Sequence, residues 1–448
     1  MGGCRVNKPV LAKPSRRRIL SPYARKALWR TGLVVLVMVA SSYILSHNLL
    51  GPFGAFIKGP QGASLDRLTI VVHRWGSPVP IRDFPLVVLV ELQQSSIEHL
   101  SSNSYVFNRG QLARITQKIL AYQPKGIFLD LDLRYSSNEG SGLSAGDRQL
   151  LEVLERLEAP VLVPDNEVLG QPLGRLNANL HAVQAQVLYD RDGQTRQIPR
   201  PLPGQPVAAS LGLYCLGLGI DLREGSRCQQ VVATGNPQAD GKRIVYREIR
   251  RYGAGIEGPQ LWPNLVVMGG LEFLNDGLVQ SEATQGALFL VGRTYPKADD
   301  VHFAAIGPVQ GIDIHLNALL TLATYRNFSE TLGWGPVLLV VPLVVFLALW
   351  LTYSITEGWL KASRFQGFVQ TLIETAVAAW FLFLAGVAIL QYSGHFLDYL
   401  YPIVAFQMGA LLLKLFAGGK KNESKTSDRG QEVADKLKEI VEGTGGDR

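Results

Sequence analysis

The chain has 448 residues, 47% of them hydrophobic and only 18% charged, with a formal charge of +7. A soluble protein of average composition carries about a quarter charged residues, so the deficit points to membrane segments and away from one large soluble enzyme. The positive balance does not mark a nucleic-acid binder either. Residues 1–30 hold nine Lys or Arg and no acid, directly before an apolar run, where basic residues mark the cytoplasmic side of a membrane.

Residues 31–50, TGLVVLVMVASSYILSHNLL, carry no Lys, Arg, Asp or Glu and match the length of a bilayer crossing. A cleaved signal peptide would have a shorter apolar region and a small-x-small cleavage site, so an uncleaved anchor following a basic cytoplasmic tail (1–30) is expected. From 51 to 333 the composition is that of a water-soluble domain. Leu86-Val87-Val88-Leu89-Val90 reads as a strand buried on both faces. Asn108 is a suitable N-cap for a helix whose Leu112, Ile115, Ile119 and Leu120 recur at helical spacing. Gln123-Pro124-Lys125-Gly126 stops it, and Ile127-Phe128-Leu129 starts a second buried strand leading into Asp130 and Asp132. Two such strands joined by a helix require a right-handed crossover in a parallel sheet.

Further along, 147–154 predicts an amphipathic helix, 160–164 a third strand, and 183–189 another strand running into the turn Asp190-Arg191-Asp192-Gly193. Val207 to Leu218 predicts a helix, 287–292 a buried strand and 312–325 a helix. The stretch 220–283 is irregular and reads as an insertion. Cys215 and Cys228 stand either as a disulfide or as two unpaired thiols. Alternating strands and helices predict an α/β domain, a mostly parallel sheet with flanking helices.

Three apolar segments follow, Trp334 to Tyr353, Phe368 to Gln391 and Tyr399 to Phe416. The loop with Lys361 and Arg364 is placed in the cytoplasm and the loop around His395 and Asp398 outside. The expectation is four transmembrane helices, one before the domain and three after (334–416), with a short charged cytoplasmic tail (417–448) and both termini inside. Glu374 lies within an apolar segment, where a carboxyl is costly. Its reading here is a side chain reaching for the nearby cytoplasmic surface.

No G-x-S-x-G elbow, H-E-x-x-H pair or phosphate loop is present, so no catalytic residue, metal set or cofactor is assigned. Residues two apart on a strand share a face, and ligands of open α/β sheets bind at the carboxyl edge. Arg109, Asp130, Asp132, Asp300 and His315 are therefore the candidate ligand-binding residues. The alternative is that they cap helices, pair with one another and pin loops.

Four stretches together carry a resemblance: VVLVELQQSSI (87–97), NRGQLARITQKILAYQPKGIFLDLDL (108–133) with Asp147 beyond, AQVLYDRDGQTRQIP (185–199) and ALFLVGRTYPKADDVHFAAIGPVQGIDIHLNALLT (287–321). The chain resembles a bacterial CHASE-type sensor of the second type (cyclase/histidine-kinase-associated sensory extracellular domain). Ser96, Arg109, Asp130, Asp192-Gly193, Arg196, Gly292, Asp300, Gly311 and His315 fall on the family's motif positions. Gln93 and Gln94 stand where the family usually has acidic residues.

The resemblance implies one membrane helix before the sensor and usually three after it, leading into a cyclase or kinase. No such output domain follows residue 416, so a stand-alone form is expected. It would be a multi-pass protein of the bacterial inner (cell) membrane with 51–333 extracytoplasmic, an unknown ligand there, and a cytoplasmic or membrane protein partner in trans. A homodimer is open, and nucleic acid is not expected. The alternatives are an extracytoplasmic metal-assisted hydrolase using Asp130, Asp132, Asp300 and His315, or a structural envelope protein.

Overall fold

Six parallel strands organise the domain, in the sheet order Leu265–Gly269, Val87–Leu92, Leu288–Arg293, Gly126–Asp130, Val161–Val163 and Leu180–Ala182. In the computed structural model the described residues are, apart from isolated positions, 27–32, 65–73, 83–92, 107–136, 142–189, 194–199, 205–223, 241–246, 264–278, 284–294, 300–325, 334–356 and 366–397. In chain order the strands are β1 (Val87–Leu92), β2 (Gly126–Asp130), β3 (Val161–Val163), a small hairpin β4 (Glu167–Val168) and β5 (Gln171–Pro172), then β6 (Leu180–Ala182), β7 (Leu188–Tyr189), β8 (Thr195–Pro199), β9 (Gly241–Arg243), β10 (Leu265–Gly269), β11 (Leu288–Arg293), β12 (Val301–Ala304) and β13 (Gly307–Gln310).

The central strands are apolar on both sides because both faces are covered. Val87, Leu89, Phe128, Leu288 and Leu290 enter one core with the Ala209–Gly217 and Gly311–Tyr325 helices. Val88, Val90, Ile127, Leu129, Phe289 and Val291 enter the other with the Arg109–Leu120, Ala145–Glu155 and Gly270–Asn275 helices. Continuous apolar strands are what a doubly covered parallel sheet requires. The Arg109–Leu120 helix starts where Asn108 accepts from the Gln111 backbone N–H at 3.0 Å. The Ala145–Glu155 helix starts with a reciprocal Ser144–Asp147 capping box. These two helices cross closely at Gly146, where a Cβ would lie 2.7 Å from the Gly110 nitrogen. The α/β architecture and its mostly parallel sheet are as the sequence predicts.

Two expectations change, and one open alternative is decided. Of the strand expected over 183–189 only its end, β7, is strand, and it joins a second sheet ordered β13-β12-β8-β7, with β9 on β8, while β6, just before residue 183, closes the main sheet. The β12–β13 hairpin of that sheet has no counterpart in the sequence reading. The irregular stretch 220–283 contributes a full member of the main sheet, since β10 pairs with β1 from Val87↔Leu265 to Glu91↔Gly269. Cys215 and Cys228 form a disulfide, tying the Ala209–Gly217 helix to a residue thirteen positions on.

The chain divides into two units, Phe56–Gly333 with Phe383–Asp398, and Met1–Ala55 with Trp334–Leu382 and Tyr399–Arg448. Of the four expected crossings, one helix among the described residues, Leu372–Ser393, is long and apolar enough to cross a membrane, and Leu339–Ser354 is a shorter apolar helix. Most of 31–50 and 399–416 lies outside the described residues. Glu374 is buried and accepts a charge-assisted hydrogen bond from Arg30, whose guanidinium lies 5.7 Å from the Tyr353 ring centre. It is held by a named partner rather than by reaching toward the surface.

Candidate functional site

At the carboxyl end of β2 the apolar run stops at Asp130, and at the same edge β11 ends in Arg293, whose strand register places Gly292 opposite Asp130. Across the opening stand β7 and β12 of the second sheet. Together they bound a cleft of about 830 Å³ lined by Asp130, Asp132, Arg134, Asp165, Arg293, Asp300, His302 and Tyr189, with Gln184, Gln186, Gln205 and Asn166 as neutral polar groups. That volume suits a small-molecule site, and the position is where ligands of open parallel sheets bind.

Asp130 is the cleft's least satisfied member. Its Oδ2 is buried and has no hydrogen-bond partner among the described residues. Its carboxyl is pushed well above the usual carboxylate range, first by burial and then by the Asp300 charge, with Arg293 opposing. Asp132 reaches the cleft by another route than strand alternation, because β2 has already ended at Asp130. It sits in the following turn, where Arg134 donates to its two oxygens at 3.1 and 2.8 Å. That hydrogen-bonded pairing holds its carboxyl below the ordinary range. Arg134 also lies 3.5 Å from Asp165.

Asp300 precedes β12. Its carbonyl accepts from the Gly311 N–H at 3.0 Å, and a Cβ at position 311 would collide with its carboxylate. The absence of a side chain at Gly311 is what lets the Asp300 carboxylate approach so closely. His302, two residues on, donates from Nε2 to Asp300 at 2.7 Å, and its Nδ1 is hydrogen-bonded with the Tyr189 hydroxyl. The result is an Asp300–His302–Tyr189 chain along one wall.

Arg109 and His315 do not line this cleft. Arg109 is buried and donates from Nη2 to the carbonyls of Asp132 at 2.7 Å and Tyr135 at 3.3 Å. Burial lowers its value to about 10, with the Asp147 carboxylate opposing that shift. Asp147 in turn accepts from Ser136 at 2.6 Å. Arg109 is thus a clamp that fixes the turn carrying Asp132. His315 points into the core, with its ring edge-on to Phe128 at 5.3 Å and Nε2 donating to the Ala185 carbonyl at 3.0 Å. Burial pushes its imidazole down to about 4, so it is neutral at physiological pH. Its carbonyl partner lies on the cleft wall.

The structure therefore brings Asp130, Asp132 and Asp300 together and gives Arg109 and His315 supporting places. Sequence reasoning passed over Arg293, His302, Tyr189, Arg134 and Asp165. Two of these carried a signal: Arg293 ends a buried strand, and His302 lies two residues from Asp300. Ser96, Asp192 and Gly193 lie outside the described residues, and Arg196 falls on β8. Gly292 is held by close packing, since a Cβ there would lie 2.7 Å from Ile312.

The family model of the CHASE2 domain matches residues 37–355. The chain belongs to the CHASE2 family. No curated protein and no solved structure matches it. CHASE2 is a sensory domain of extracellular type, and in this CHASE2 chain the matched segment contains the whole parallel sheet, the second sheet and the cleft between them.

Proposed function

We propose that this CHASE2 protein is a non-enzymatic sensor of the bacterial cell membrane, which binds a polar small molecule in the cleft outside the cytoplasm and signals through a separate cytoplasmic protein. The observation that carries the reading is the buried Asp130 oxygen, without a partner among the described residues, at the carboxyl edge of a parallel sheet. A buried polar group left unpaired is costly, and it persists where a ligand completes it.

A route for the change leads away from the cleft. Asp300 sits against Gly311, the first residue of the Gly311–Tyr325 helix. At the other end of that helix, the Tyr325 hydroxyl donates to the Gln391 carbonyl at 3.3 Å. Gly394, at φ +68°, packs so closely on the Tyr325 ring that a Cβ would collide with it. A ligand that repositions Asp300 would act on one end of a packed helix whose other end touches the end of the Gln366–Ser393 helix. The grouping of Phe383–Asp398 with Phe56–Gly333 in one unit supports a topology in which the His395 loop and the sensory domain share the outer side, with both termini inside.

The hydrolase alternative needs His315 beside the carboxylates, whereas its Nε2 is engaged by the Ala185 carbonyl. Ester or phosphoester turnover by the full-length protein, lost in Asp130→Asn, would overturn the non-enzymatic part of the proposal. The signalling part is tested by crosslinking in cells. The full-length protein and a version ending at Gly418 are purified in mild detergent, and their partners are identified. A kinase, cyclase or transcription regulator held only by the full-length form is the expected result. Envelope proteins alone, held equally by both, would make this a structural protein instead.

A further inference from the structure

Resting on the reading of the cleft as a ligand site, we infer that its ligand is a small polar molecule bearing an ammonium group, held between Asp130 and Asp300. The first argument is the state of the charges already present. Among the described residues the cleft is lined by four carboxylates, Asp130, Asp132, Asp165 and Asp300, against Arg134, Arg293 and His302. Arg134 is taken up by Asp132 and Asp165. His302 has its Nε2 on Asp300 and its Nδ1 on Tyr189. Arg293 stands close enough to Asp130 to offset part of its burial. An anionic ligand would have to break these pairs, whereas a cation adds to them.

The second argument is the group left over. Asp130 has a buried oxygen with no donor among the described residues and faces the like charge of Asp300. A donor bearing positive charge between the two supplies the missing hydrogen bond and cancels their repulsion. Charge-assisted bonds of this kind are the strong ones. An ammonium group has three protons to give, and Gln184, Gln186 and Gln205 offer amide oxygens for polar groups on the rest of the molecule. A divalent ion would need a set of hard ligands converging on one point. Among the described residues no three of His, Cys, Asp and Glu do so.

The test is isothermal titration calorimetry on the full-length protein in detergent, with putrescine, spermidine, agmatine and lysine as amine probes, succinate as an anionic probe, and Ca²⁺ and Mg²⁺ as metal probes. At least one amine is expected to bind. Asp130→Asn and, separately, Asp300→Asn should weaken it by about tenfold or more. In the wild type, binding should release a proton and tighten as pH rises, because the amine takes the place of the proton on Asp130. With Asp130→Asn that pH dependence should flatten. Binding of no amine, or of an amine equally well by both variants, overturns the inference. Asp130-dependent binding of succinate or of a metal ion instead would overturn the ligand class while leaving the cleft as the site. Amine binding without any tail-dependent partner would leave the ligand class standing and remove the signalling proposal.

Discussion

Two charged side chains next to the same sheet edge are treated in opposite ways. Arg109 is buried and engaged: its guanidinium bridges two carbonyls of the 132–135 turn, with Asp147 close by. Asp130, one strand end away, lines an open cleft with a buried oxygen that no described residue satisfies. Both stand at the end of a regular element, Arg109 opening a helix and Asp130 closing a strand, so sequence position alone does not separate them. The difference teaches that the fold uses one charge to build the rim and leaves the other at the open cleft.

The comparison breaks most visibly at Arg109. Arg109→Leu removes the clamp and leaves Asp147 and two carbonyls without their cation, and it should lower stability by about 3–5 kcal/mol, read from denaturant unfolding of the full-length protein. A loss within experimental error would mean the turn holds itself. His315 sets the next largest effect. Its folded value of about 4 lies below the ordinary imidazole value of 6.5, so the unfolded chain binds the proton more tightly. Stability is then complete above about pH 6.5 and drains away as pH falls toward 4, by about 3 kcal/mol in all. In His315→Gln that part of the pH dependence should vanish.

Gly311→Ala should act more mildly. The new methyl group meets the far end of the Asp300 side chain, which can move, so the expected loss is about 1 kcal/mol. Its sharper consequence is a displaced Asp300, visible as a change in the His302 ring signals by NMR, since His302 Nε2 bonds that carboxylate. Unchanged signals would separate Asp300 from the helix it heads.

Much of this was legible in the sequence. The strand–helix–strand unit from Leu86 to Asp130 follows from β-branched runs, an Asn cap and a Pro-Gly stop, all local signals. Asp130 was legible at the end of a recognisable strand, and Asp300 in the connection between a recognisable strand and helix. Arg109 and His315 were legible as important but not as supports. A residue at a helix start can turn to the cleft or back into the loop, and only the tertiary partners, the Asp132 and Ala185 carbonyls, decide it. His315 lies between Ile314 and Leu316 on a helix buried nearly all round, so periodicity offers no free face to point to. Tyr189 was not legible, because it reaches His302 through a sheet assembled from distant segments. The same holds for β10, whose five residues gain meaning only by pairing with β1 far upstream.

The most direct test is thermal unfolding of full-length Asp130→Asn beside the wild type between pH 4 and pH 8. Burial and Asp300 raise the folded-state value of Asp130 above its unfolded one, so the wild type loses stability from this group as pH rises through that range. The account predicts that the asparagine variant melts at the same temperature as the wild type or higher at neutral pH, and that the gap narrows toward pH 4. A variant that melts lower at neutral pH would show that the charged carboxyl is already satisfied within the chain, and that the cleft holds no place for a ligand's cation.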